Sequence, residues 1–61
     1  MKRLVISAPN KESLEKQINL YFYSYHYKIN DDLTIYNTKL KKYLEGYTIV
    51  ISKNRYKLYK D

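Results

Sequence analysis

The C-terminal segment constrains the fold most. Two six-residue runs, 47–52 and 55–60, flank Lys53-Asn54. A two-residue turn there pairs Ser52 with Arg55, Ile51 with Tyr56, Val50 with Lys57, Ile49 with Leu58 and Thr48 with Tyr59. Successive side chains of a strand point to opposite faces, so this register sorts the residues. Tyr47, Ile49, Ile51, Tyr56 and Leu58 share one face, and Thr48, Val50, Ser52, Arg55, Lys57 and Tyr59 share the other. A slip of one residue destroys the separation. Asn54 tolerates the left-handed conformation that such a turn requires. A chain with this hairpin needs something apolar to cover its Ile/Leu face.

An amphipathic helix supplies the cover. Asn10 is a candidate N-cap, and Leu14, Ile18, Tyr21, Phe22 and Tyr25 recur on one helical face after it. Glu12 and Lys16 form a favourably oriented i,i+4 pair. A helix is expected over about residues 11–24, with Glu12 and Glu15 on its solvent side. From Tyr21 the chain also alternates strictly, Tyr21, Tyr23, Tyr25, Tyr27 and Ile29 against Phe22, Ser24, His26 and Lys28. Period two is a strand signal, and Tyr favours strands. The two patterns overlap over 21–25. The helix is preferred there, with extended chain from near Tyr27.

Residues 2–7 read as a strand. Its Leu4-Val5-Ile6 run suits a strand covered on both faces or central in a sheet, and Pro9 ends it. Asn30-Asp31-Asp32 is turn chemistry. Residues 33–38 alternate as a strand, with Leu33 and Ile35 against Thr34, Tyr36 and Thr38. Residues 39–46 fit a short helix or an irregular, hairpin-like connection. Lys39, Lys41 and Lys42 at the helix start and Glu45 at its end oppose the dipole, which favours the hairpin. The order is β-α-β-β-β, a small α+β domain over 1–61 with one helix on one face of a sheet and a C-terminal β-hairpin. A right-handed crossover makes the strand over 33–38 parallel to the first if they share a sheet.

The 61 residues contain no Cys, so neither a disulfide nor a thiolate metal site can staple so small a core. Leu, Ile, Val and Phe make up 16 of the 61 residues, above the roughly 20% level below which disorder is expected. The apolar run at 4–6 is far shorter than a secretory core or a membrane span. A cytoplasmic protein without membrane contact is therefore expected.

Catalysis is not expected. His26 is the single histidine, and nucleophile–base constellations need two or three mutually placed polar groups. Asp31-Asp32 alone is too few oxygens for a hard cation, and a single Gly excludes a phosphate-cradling loop. No metal, cofactor or catalytic residue is assigned. The chain carries 12 Lys and Arg against 6 Asp and Glu, a net +6, and nine Tyr. Lys, Asn, Ile and Tyr, with AT-rich codons, supply 30 of the residues, so genome composition is a competing source of this bias. Read as function, the cations neutralise phosphates and the rings stack on unpaired bases. Arg55, Lys57, Tyr59 and Tyr36 are the candidate platform, and Lys39, Lys41 and Lys42 a candidate phosphate contact. Single strands are the favoured ligand.

The alternative is a protein-interaction module. Its tyrosine surface, or an exposed strand edge, would bind a partner or form a homodimer through Tyr21, Tyr23, Tyr25 and Tyr27. Salt separates the two readings, because phosphate binding weakens steeply with it. A helix over 38–45 would instead give a winged-helix arrangement. The composition, with Ser7-Ala8-Pro9-Asn10-Lys11-Glu12 leading into the Tyr-rich segment, resembles short proteins carried by phages and conjugative elements of low-GC Gram-positive bacteria. That resemblance implies no activity and no functional residue.

Overall fold

A computed structural model describes residues 2–61. The elements are β1 (Arg3–Ala8), α1 (Lys11–Tyr21), β2 (Tyr27–Ile29), β3 (Ile35–Asn37), β4 (Lys42–Tyr43), β5 (Tyr47–Ser52) and β6 (Arg55–Lys60). They form two antiparallel three-stranded sheets, a terminal sheet ordered β1-β6-β5 and a middle sheet ordered β2-β3-β4. One helix with these strands makes an α+β fold.

The C-terminal hairpin has the expected register, from Ser52 opposite Arg55 to Thr48 opposite Tyr59. Its turn residues Lys53 and Asn54 both have positive φ, at 50° and 63°. This is the type I′ turn whose twist matches that of the flanking strands. Ile49 and Leu58 are buried against Ile6 and Ala8 of β1 and Leu14 and Ile18 of α1. The Asn10 side chain accepts a 2.8 Å hydrogen bond from the Ser13 amide and starts the helix as expected.

β1 departs from expectation. It is an edge strand, and β6 lies in the middle. The strand is also bulged: Leu4 opposes Tyr59, and Ile6 opposes Leu58, so Val5 is the inserted residue. The bulge turns Leu4 to the uncovered face while Ile6 faces the core. The continuous Leu-Val-Ile run therefore reflects one extra residue rather than burial on both sides.

The helix also stops early. Its final carbonyls are met by Tyr23 N–H to Leu20 O at 3.3 Å and Ser24 N–H to Asn19 O at 2.8 Å. These are the two bonds of a Schellman motif, with Tyr23 at φ 52° in the position that usually holds Gly. Phe22 then turns inward, its ring 5.2 Å from Tyr27 and 5.4 Å from Tyr47. Tyr21 and Tyr25, expected on the apolar stripe, are exposed.

The strand over 33–38 shortens to β3 and lies in a different sheet from β1, so the condition for a parallel crossover is not met. It pairs antiparallel with β2, Ile29 opposite Ile35 and Tyr27 opposite Asn37. A local hairpin needs no crossover, and the 30–34 loop is built for one. Asp32 Oδ1 accepts from the Thr34 amide and hydroxyl, and Asn30 N–H donates to Thr34 O at 2.9 Å. Residues 39–46 take the hairpin-like course rather than the helix, which removes the winged-helix arrangement. β3 and β4 pair Tyr36 with Tyr43 and Asn37 with Lys42.

Helix and middle sheet are joined by side chains. Asn19 Oδ1 accepts from the Tyr27 amide at 2.9 Å, and its Nδ2 donates to Tyr27 O at 3.1 Å. Glu15 Oε1 accepts from the Ile29 amide at 2.9 Å. Glu15 thus serves β2 rather than facing solvent with Glu12, because β2 has no strand on that side.

Candidate nucleic-acid interface

The seven residues singled out in the sequence fall on two surfaces. Arg55, Lys57 and Tyr59 alternate along β6 and share the face of the terminal sheet opposite α1. The cross-strand rows there are Leu4–Tyr59–Thr48 and Ser7–Lys57–Val50. Among the described residues no element packs on this face, yet two of its polar side chains, Arg55 and Thr48, are engaged. Arg55 Nε donates to Ser7 Oγ at 2.9 Å, and the Asp61 carboxylate lies against the Thr48 hydroxyl at 3.2 Å, beside Tyr59. The row at that end therefore carries an anion.

Tyr36 is on the other sheet, since its strand pairs with β2 and β4 instead of joining β6. It does not extend the Arg55, Lys57 and Tyr59 platform expected of it. Lys28, Tyr36 and Tyr43 instead stand directly opposite one another across β2, β3 and β4. Ile29, Ile35 and Asn37 alternate with them and are buried, so this row looks outward. The Tyr36 and Tyr43 rings are 5.0 Å apart at 64°. That edge-on packing holds Tyr36 in place and leaves Tyr43 57% exposed.

Lys42 opposes the buried Asn37 and so takes the other face of β4, whereas the turn from β3 to β4 carries Lys39 and Lys41 just beyond this row. Asn37, 7% exposed, organises that turn: its Oδ1 accepts from the amides of Lys39 and Leu40 at 3.0 and 2.9 Å. Lys41 bonds back to Asn37 O at 2.8 Å and adopts φ 56°. Lys39, Lys41 and Lys42 are all exposed. Among the described residues the one ion pair is Lys11 with Asp31 at 3.0 Å, so none of these lysines is neutralised.

Lys28 and Tyr43 were not among the sequence candidates. Their signal was the parity of the hairpin register: once 39–46 is a hairpin, Tyr43 must face the same way as Tyr36. The lone histidine, His26, is exposed, and its backbone carbonyl accepts from Thr38. Tyr27 packs against Phe22 and does not belong to the exposed tyrosines. Tyr23 and Tyr25 are 96% and 94% exposed, with Leu20 at 71% beside them. No described helix is long and apolar enough to cross a membrane. Comparison with protein-family models, curated proteins and solved structures finds no match.

Proposed function

We propose that this protein is a non-catalytic module that binds single-stranded nucleic acid on the outer face of its middle sheet. The observation that carries the reading is the row Lys28–Tyr36–Tyr43, beside the unpaired Lys39 and Lys41 of the β3–β4 turn, with Lys42 exposed on the other face of β4. Tyr43 offers a base a stacking surface, and Tyr36 buttresses it. The lysines take the phosphates on either side. Every base has a π-face, so this arrangement favours unpaired strands without demanding a sequence. Arg55, Lys57 and Tyr59 form a second, weaker contact, because Ser7 holds Arg55 and Asp61 adds negative charge nearby.

Fluorescence anisotropy with labelled single- and double-stranded oligonucleotides tests this. Three lysines, Lys28, Lys39 and Lys41, on phosphates give a log–log salt slope of about −2 for a single strand. Tyr43→Ala is expected to weaken binding roughly tenfold, within the range for loss of one base stack. Lys39→Glu with Lys41→Glu should weaken it further and flatten the salt slope. Affinity that survives both changes but falls on Arg55→Glu plus Lys57→Glu moves the site to the terminal sheet. No binding at low salt overturns the reading. The exposed Leu20, Tyr23 and Tyr25 favour the second reading, a protein-interaction module, whose binding would change little with salt.

A further inference from the structure

We propose that two copies of this chain pair through β5, joining their terminal sheets into one six-stranded sheet. β5 and β1 are the two edges of that sheet, and they differ. β1 starts with Arg3, is bulged at Val5 and runs into Pro9, devices that discourage further pairing. β5 has none of these. Its six residues, Tyr-Thr-Ile-Val-Ile-Ser, hold no charge, no proline and no bulge, in a chain that is 30% charged. Val50 and Ile51 are 39% and 51% exposed.

The backbone of β5 is also free to pair. In a two-residue hairpin the residues flanking the turn exchange hydrogen bonds, and every second pair does so after them. Ser52, Val50 and Thr48 therefore bond to β6, while the N–H and C=O of Ile51 and Ile49 point away from it. Among the described residues no hydrogen bond reaches those groups.

The occupant follows from register and charge. Antiparallel pairing about a two-fold axis at Val50 sets Val50 against Val50, Ile49 against Ile51 and Thr48 against Ser52. Each pair then lies on matching faces. Ile49 and Ile51, the residues with free outward groups, oppose each other and exchange bonds twice by symmetry. The axis falls in the exposed half of the strand. Toward Tyr47 the strand flanks an open groove that Tyr47, Thr48 and Ile49 line together with Ile35 and Leu44. A partner chosen by charge finds no cation on β5, whereas a second copy meets a neutral seam despite the +6 charge of each chain. Pairing through β5 requires no nucleic-acid binding.

Sedimentation equilibrium over a range of concentrations, at low and high salt, is the test. The expected result is a monomer–dimer equilibrium that shifts toward dimer with salt, as screening relieves the repulsion between copies. Val50→Lys sets like charges directly opposite at the axis and should weaken the dimer at least tenfold. Ile51→Pro removes an outward donor that β6 does not use, at a half-exposed side chain, and should do the same while far-ultraviolet circular dichroism still reports a folded chain. A monomer at every concentration up to about 1 mM, a level at which even weak association registers, overturns the proposal. So does a dimer that resists both changes, or one lost instead on Tyr23→Ser plus Tyr25→Ser.

Discussion

At the scale of single residues, one position accepts local strain with no side chain buried in return. Tyr23 holds a left-handed conformation at φ 52° with its ring 96% exposed. For a residue with a Cβ that conformation costs roughly 1–2 kcal/mol, part of which Gly returns through its freer unfolded chain. Tyr23→Gly is therefore expected to stabilise the fold by about 0.5–1 kcal/mol in urea denaturation, with the Schellman bonds intact. A loss of stability would mean that the ring packs in solution. Asp32 shows the opposite economy, one carboxylate oxygen taking two bonds from Thr34. Those bonds, the hydroxyl's first, hold its pKa below the ordinary 3.8. The stabilisation is present above the unfolded-state value and is lost as pH falls through the lower folded-state value. An NMR titration should place the Asp32 midpoint below 3.8 and return it upward in Thr34→Val.

At the scale of elements, what was legible in the sequence depended on whether a periodic signal existed. The β5–β6 register was readable because parity sorts apolar from polar side chains, and an off-by-one pairing fails visibly. The N-cap and the buried Leu14 and Ile18 were readable for the same kind of reason. The middle sheet was not. β2 is three residues long, and on one side its neighbour is a helix that bonds through Asn19 and Glu15 rather than through a ladder. No periodicity encodes that contact. Half of the candidate site moved with it, since Tyr36 follows β3 into the middle sheet while Arg55, Lys57 and Tyr59 stay on β6. Asn19→Ala should accordingly cost about 2 kcal/mol, the loss of two bonds to Tyr27 that leaves part-buried backbone groups unpaired. Hydrogen exchange should localise the damage to the Tyr27 amide and the β2–β3 ladder, sparing β5–β6. Uniform loss of protection would instead make the two sheets one cooperative unit.

At the scale of the whole molecule, charge opposes folding and assists binding. Twelve cations face six anions, and among the described residues a single ion pair, exposed on the surface, offsets any of this. Such a pair contributes little, so the folded chain carries its +6 as self-repulsion that added salt screens. Raising salt from about 20 to about 200 mM should raise the thermal midpoint. If screening recovers about 1 kcal/mol, the shift in a domain this small is roughly 4–8 °C. The same change should weaken any phosphate contact, because released counterions no longer favour it. Stability and nucleic-acid affinity are thus expected to move in opposite directions along one salt series, measured on one preparation by thermal denaturation and anisotropy. If both fall together, the loss of affinity reflects unfolding and not displaced phosphates. If affinity holds while stability rises, base stacking on the tyrosines rather than phosphate contact by the lysines carries the binding.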